Sequence, residues 1–320
     1  MSCKGCIYSR GANANADTMV HLVQGGIKKP AWLKMKVGLP NEKFDRINAM
    51  AKELNLATVC QSAHCPNVAE CWSGGTATFM LMGDTCTRAC KFCNVKHGKP
   101  QPLDPNEPKN LAEAIGKMGV DYAVITCVDR DDVEDGGAGH FAACISHLRV
   151  AYPNVKVEVL VSDFQGKKKD IQKVIDSSPH VFAHNIETVA RLQKSVRDHR
   201  ANYDQSISVL KYVKDSQPKM LTKSSIIVGL GETPEEVLET MRDLRAVGVD
   251  FLTLGQYLRP SKWNLPVKEY VPLEQYAIYE KEGKKMGFKY VAAGPFVRSS
   301  YKAGELYMKQ NLSTPNCTNS

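Results

Sequence analysis

"SSIIVGLGETPEEVLETMRDLRAVGVDFLTLGQYL", residues 224–258, holds a complete strand–helix–strand unit, and its reading decides the fold. Its ends, "SSIIVGL" (224–230) and "FLTLGQYL" (251–258), are short apolar runs that predict buried strands. Between them Thr233 takes the N-cap place, Pro234 the first helical position, and Glu235 and Glu236 the first turn, so "TPEEVLETMRDLRAVG" predicts a helix.

The same alternation extends toward the N-terminus. "TATFMLM" (76–82), "YAVITCV" (122–128), "KVEVLV" (156–161) and "VFAHNI" (181–186) predict four more strands, with helices in "NLAEAIGKMG", "HFAACISHLRVAY" and "ETVARLQKSV". Upstream, "PNEKFDRINAMAKELNL" (40–56) predicts a helix with Phe44, Ile47, Ala51 and Leu54 on one face. Six strand–helix units over about 180 residues imply an α/β fold, a partial (β/α)6 TIM-like barrel, in preference to a Rossmann sheet. The expected organisation is an N-terminal arm and cysteine-bearing segment over 1–75, the barrel over 76–260 and a C-terminal extension over 261–320. Polar residues gather where a barrel places its chemistry, at the C-terminal strand ends: "CVDRDDVEDGGAG", Asn185 and Glu187, "GLGET" and "GQYLRP". There is no internal repeat, and the tail "LSTPNCTNS" is expected to fray.

The chain has 320 residues, 43% hydrophobic and 24% charged, enough for a real core. No apolar run approaches the roughly 18 residues of a membrane span, nor is there a secretory signal, so no membrane role is expected. Of the net charge of +8, most sits in residues 1–40, where Lys4, Arg10, Lys28, Lys29, Lys34 and Lys36 face Asp17 alone. Without interleaved aromatics or a nucleic-acid motif this arm does not predict nucleic-acid binding. The expected compartment is the cytoplasm, with the mitochondrial matrix or a plastid as the alternative if the arm is an import signal.

Eleven cysteines, odd in number and tightly clustered, point to metal ligation in a reducing compartment. Cys86, Cys90 and Cys93 follow the first strand as C-x-x-x-C-x-x-C. Three thiolates from one loop can hold three corners of a cubane iron–sulfur cluster, leaving one iron open to a small molecule. A zinc site with His97 as fourth ligand is the competing reading. Cys60, Cys65 and Cys71 form a second trio, which suggests a second cluster or a zinc site with His64. Cys3 and Cys6 form a C-x-x-C that could bind metal but is expected to be incidental, while Cys127 and Cys144 are expected to be buried thiols.

The first trio, with Phe92 just before its last cysteine and a barrel following, resembles the radical S-adenosylmethionine superfamily. Within it the resemblance narrows to the lipoyl-forming, sulfur-inserting family, carried from about residue 28 to 308 by "PAWLKMK", "HCPNVAECW", "GTATFM", "CTRACKFCNV", "VDRDD", "DGGAGHF", "AHNIETV", "VRDHRANY", "GLGETPEEV", "LTLGQYLRP" and "GPFVRSSYKAGEL". That resemblance implies two 4Fe-4S clusters, one on Cys86, Cys90 and Cys93 with S-adenosyl-L-methionine at its open iron. The other would be an auxiliary cluster on Cys60, Cys65, Cys71 and a serine of Arg298–Ser299–Ser300–Tyr301, taken as Ser300. It also implies that the N- and C-terminal extensions cap the barrel mouth.

The implied reaction inserts sulfur at C6 and C8 of an octanoyl-lysine, the sulfur coming from the auxiliary cluster. Implied partners are octanoylated lipoyl-carrier domains (glycine cleavage H protein, 2-oxoacid dehydrogenase E2 subunits), a ferredoxin or flavodoxin type donor, and an iron–sulfur carrier protein that rebuilds the auxiliary cluster. Phe92, Asn185, Glu187 and Gly229 are candidates for cofactor binding and Arg298 for substrate contact. For Asn185 and Glu187 a loop hydrogen-bond network is the plain alternative and for the two serines a helix cap, while "VDRDD" could ligate a cation but is expected to form an ion-pair network. The chain departs from the family at Gln61 and Ser62, where two acids are common, at Asn264 in place of a histidine, and at Cys127 in place of a serine.

Overall fold

The structure, a computed structural model, describes residues 28–33, 40–74 and 76–300. Cys3, Cys6, most of the basic arm, Tyr301 and the tail lie outside the described residues. A 3-10 turn spans Ala31–Leu33. The helices are α1 (Glu42–Glu53), α2 (Val59–Ser62), α3 (Val68–Ser73), α4 (Glu107–Met118), α5 (Ala138–Ala151), α6 (Lys168–Asp176), α7 (Gln193–Val196), α8 (Tyr203–Ser216), α9 (Pro234–Ala246) and α10 (Leu273–Lys285). The strands are β1 (Ala57–Thr58), β2 (Thr78–Leu81), β3 (Thr85–Cys86), β4 (Lys96–His97), β5 (Tyr122–Cys127), β6 (Lys156–Leu160), β7 (Val181–Ala183), β8 (Leu221–Val228), β9 (Phe251–Gln256) and β10 (Tyr290–Gly294).

All six expected strands form, and they lie side by side in chain order as β2-β5-β6-β7-β8-β9, every neighbouring pair parallel. Two edge strands were not expected. β1 adds antiparallel to β2, and β10, within the stretch assigned to the C-terminal extension, adds parallel to β9. β3 and β4 make a separate parallel pair around the cysteine loop.

Strands covered on both faces explain the continuous apolar runs: β2 and β9 are buried at every residue. The helices close the outer face. α9 starts as its sequence predicts, with a capping box in which Thr233 Oγ1 accepts from Glu236 N at 3.3 Å and Glu236 Oε2 accepts from Thr233 N at 2.8 Å. α1 is capped by Asn41, whose Oδ1 accepts from Lys43 N and Phe44 N, and it packs Phe44 on Trp72 of α3 with ring centroids 5.0 Å apart. That contact packs the N-terminal segment on itself, and Arg46 Nη2, which donates to Lys117 O at 2.7 Å, ties α1 to α4 of the barrel.

Low in the barrel, Lys223 and Glu158 form a buried ion pair at 2.6 Å, and Tyr122 Oη donates to the other Glu158 oxygen at 2.7 Å. Each charge is partnered, as burial requires. No helix among the described residues is long and apolar enough to cross a membrane.

Candidate active site

The first cysteine loop begins where β2 ends. Met82 there adopts φ +67°, and Glu107 at the start of α4 receives the Met82 N–H on both carboxylate oxygens, at 2.9 and 3.0 Å. His140 approaches the same carboxylate at 2.6 Å. These charge-assisted contacts offset the left-handed backbone and turn the chain toward the barrel mouth.

Within the loop, backbone N–H groups point at the sulfurs. Cys86 Sγ receives Arg88 N at 3.4 Å and Asp129 N at 3.3 Å, Cys90 Sγ receives Asp198 N at 3.3 Å, and Cys93 Sγ receives Val95 N at 3.4 Å. Half-buried thiols with several N–H donors suit metal-bound thiolates, whose charge those donors stabilise. Without a metal, burial pushes Cys86 and Cys90 up to about 12 and Cys93 to about 11. Loading a metal therefore releases protons. The eight described cysteines form no disulfide, and His97 is exposed and outside the cavity, so it is not placed as a fourth ligand to this trio.

Arg88, between the first two cysteines, fixes the loop from inside. Its guanidinium forms bidentate contacts with Asp131 (2.9 and 2.9 Å) and Asp163 (2.8 and 2.7 Å), and lies 3.4 Å from Asp129. Thus "VDRDD" does form an ion-pair network, completed by Arg130 with Asp132. Arg88 holds Asp131 down to about 2, although burial opposes the shift. Asp129 goes the other way, to about 6, because burial outweighs Arg88. Its Oδ1 accepts no hydrogen bond, and Oδ2 lies 3.6 Å from Cys86 Sγ.

A cavity of about 360 Å³ opens at the C-terminal strand ends. Cys86, Cys90, Phe92, Cys93, Asn185, Glu187, Cys60, Cys65, Arg298 and Ser300 all line it. Cys71 does not; it sits half-buried on α3 against the small core of Ile47, Cys60 and Trp72. Gly229 is also outside the lining. Its N–H and that of Leu230 are taken by the Glu232 carboxylate, and a Cβ there would meet Gln256 and Glu269. The GLGET backbone is occupied by its own glutamate. Cys144 is buried as expected, whereas Cys127 faces the cavity.

The segment before β2 and the segment after β10 meet over this mouth. Asn67, just beyond Cys65, donates to Phe296 O at 2.8 Å, and the Arg298 guanidinium lies close enough to Cys65 to pull its thiol pKa down against the larger effect of burial. Arg298 is braced by the carbonyls of Val297 (2.6 Å) and Pro295 (3.3 Å). Gly255 of β9 permits this approach, since a Cβ there would stand 2.1 Å from Val297 O. Gly255→Ala is expected to displace the Val297–Ser300 turn. Iron analysis would then show loss at the second trio alone, and unchanged iron would contradict that.

Glu187 adopts φ +66°, with its carboxylate bonded by Asn185 Nδ2 at 3.1 Å and raised by burial against the pull of Arg197. The pair forms both a local network and part of the cavity wall. Behind it, Arg197 donates to Ser206 Oγ (2.8 Å), which lies 3.0 Å from His184 Nε2, while His184 Nδ1 is 2.9 Å from Val161 O. Since Val161 O only accepts, Nδ1 carries the proton and Nε2 accepts from Ser206.

Burial, then Arg197, lowers His184 to about 4. The unfolded chain takes up this proton near 6.5 and the folded chain only near 4. Stability from this group is thus intact above 6.5 and lost as pH falls to about 4, at roughly 1.4 kcal/mol per unit. Denaturant titrations from pH 7 to 4.5 should show a shallower acid slope in His184→Gln than in wild type; equal slopes would refute this.

Sequence spacing revealed the cysteines, and the VDRDD motif that holds Asp129, but missed Arg88, Asp163, Arg197 and His184. The available signal was position for Asp163, which lies just past a predicted strand, whereas His184 fell inside the predicted run 181–186 and is freed only because β7 ends at Ala183.

The description "Radical SAM superfamily" matches residues 80–244. The solved structure of methylornithine synthase shares the fold with a TM-score of 0.52 at 13% identity, covering 80% of this chain and 72% of that one. The chain is a radical S-adenosylmethionine protein, a class that uses S-adenosylmethionine and a 4Fe-4S cluster. A lipoyl synthase of Anaeromyxobacter sp. (strain Fw109-5) is 55% identical over 288 residues, which is 90% of this chain and 97% of that protein. The chloroplastic lipoyl synthase of Arabidopsis thaliana is 54% identical over 289 residues, 88% of this chain and 73% of its own. This chain belongs to the lipoyl synthase family.

Proposed function

We propose that this chain is a sulfurtransferase that inserts two sulfur atoms, at C6 and C8, into an octanoyl group carried on a lysine of a lipoyl domain. The observation that carries the reading is that Cys60, Cys65 and Ser300 line the same cavity as Cys86, Cys90 and Cys93. When bound, S-adenosylmethionine and the first cluster supply a hydrogen-abstracting radical, and an auxiliary cluster supplies the sulfur.

In this reading Cys86, Cys90 and Cys93 hold the first cluster, and Cys60, Cys65, Cys71 and Ser300 the auxiliary one. Asp129, whose Oδ1 accepts no hydrogen bond and whose Oδ2 lies beside Cys86, receives the ammonium of the methionine moiety. Asn185 and Glu187 bind the ribose, and Phe92 packs against the cofactor. Val59, Ala63, Val95, Leu160 and Leu258 give the octanoyl chain an apolar wall that excludes water from a reacting carbon. Arg298 orients the carrier's amide carbonyl. The carriers are glycine-cleavage H protein and 2-oxoacid dehydrogenase E2 domains, with a ferredoxin or flavodoxin type donor and an iron–sulfur carrier for rebuilding. The proposed compartment is the cytoplasm, where reducing conditions suit cysteines that ligate iron.

Iron and sulfide analysis of anaerobically reconstituted protein tests the ligand sets. Wild type should hold about eight irons per chain and the Cys60→Ala/Cys65→Ala/Cys71→Ala variant about four. Zinc in place of iron, or no fall in the variant, would overturn the assignment.

A further inference from the structure

We propose that the outer rim of the first cysteine loop, formed by Lys91, Lys194, Lys262 and Trp263, docks an acidic one-electron carrier protein. The inference rests on the radical reading above and adds where its electron enters. Trp263 is 85% exposed, far more than Tyr152 at 37%, the other exposed large aromatic among the described residues. Lys262 Nζ lies over its ring, 4.9 Å from the centroid. So large an apolar surface held in water favours burial against a partner, and tryptophan is a frequent anchor of such contacts.

The turn presenting it is firmly built. Ser261 Oγ lies 2.7 Å from Asn264 Oδ1 and accepts from Trp263 N at 3.3 Å; Arg259 Nε donates to Asn264 O at 2.9 Å, and Tyr257 Oη to Leu265 O at 2.9 Å. Leu265 N donates to Lys91 O at 3.1 Å and Asn264 Nδ2 to Cys93 O at 2.8 Å. On the other side, Lys91 N donates to Val196 O at 2.9 Å, which brings the segment bearing Lys194 to the same rim. The cysteine side chains line the cavity while the main-chain carbonyls of Lys91 and Cys93 receive this turn. Trp263 is therefore one residue and one hydrogen bond from the main chain of Cys93.

Lys91, Lys194 and Lys262 are exposed and have no ion-pair partner among the described residues. The neighbouring acid Asp198 is buried and engaged by Arg200 at 2.8 Å. This local positive field attracts an acidic partner and steers its approach. A small contact suffices, since electron-transfer encounters bury little area. An electron from the carrier's reduced cofactor would reach the cluster that Cys86, Cys90 and Cys93 would hold, and would supply the one-electron reduction by which S-adenosylmethionine yields methionine and a carbon-centred radical. A carrier lipoyl domain must instead present its acyl chain at the cavity mouth, so the rim fits it less well.

The test uses cluster-loaded protein, Lys194→Glu/Lys262→Glu and Trp263→Ala variants, and flavodoxin as the probe. Calorimetric binding is read in low and in about 0.3 M salt, and deoxyadenosine formation with reduced flavodoxin or with dithionite. The charge reversal should weaken flavodoxin binding roughly tenfold or more and remove most of its salt dependence, and Trp263→Ala roughly fivefold. Flavodoxin-driven turnover should fall in step, with dithionite-driven turnover unchanged. Unchanged binding, or an equal loss with dithionite, overturns the proposal. Weakened binding of an octanoylated lipoyl domain with flavodoxin binding intact reassigns the rim and likewise overturns it. Rim-dependent flavodoxin binding by a wild type that forms no deoxyadenosine with dithionite would leave the surface standing and count against the radical reading.

Discussion

Cys65→Ala is expected to abolish sulfur insertion while leaving deoxyadenosine formation within about threefold of wild type. Cys65 lines the cavity near Arg298, but no main-chain donor or carboxylate of the first cysteine loop depends on it. Removing its thiolate therefore affects one ligand set and spares the other. Cys90→Ala should stop both activities, since its sulfur is the one that meets Asp198 N. Quantifying deoxyadenosine and sulfur-bearing peptide from the same quenched samples separates the two. Parallel loss in Cys65→Ala would mean that the trios do not act separately.

Arg88→Met should destabilise the fold by about 3–5 kcal/mol at neutral pH and prevent loading of the first cluster. The substitution leaves Asp163, whose side chain is 0% exposed, with no cation in contact, and frees the cysteine loop from the ends of β5 and β6. In wild type Arg88 lowers Asp163 although burial acts against it, so that stability is present above the unfolded value and is lost only in acid. In the variant the buried carboxyls favour the protonated form, and the deficit should narrow as pH falls from 7 toward 4. Urea titrations at both pH values measure this. A constant deficit would show that the loss is one of packing. Arg88→Lys should rescue little, because an ammonium cannot bridge two carboxylates bidentately.

The parallel sheet was legible because strands covered on both faces must be apolar and each is followed by a helix with its own start signal. β10 was not, since only Val291 of its five residues is buried. β7 is shorter than its apolar run implies. The chain leaves the sheet at His184 and touches it again only at Glu187, opposite Ile226. The cysteine trios could be seen because their spacing is local. The Arg88 clamp could not, because its carboxylates lie 43 and 75 positions away and only folding joins them. Gly229 shows the converse failure: a glycine-rich loop looks open to a ligand, yet Glu232 three residues on occupies its N–H.

The most direct test of the account is an anaerobic single-turnover reaction of reconstituted protein with S-adenosylmethionine, dithionite and an octanoyl-lysine peptide, followed by mass spectrometry. The account predicts two sulfurs gained per peptide and about two deoxyadenosines formed, one for each C–H bond broken. Deoxyadenosine without any sulfur on the peptide would contradict it.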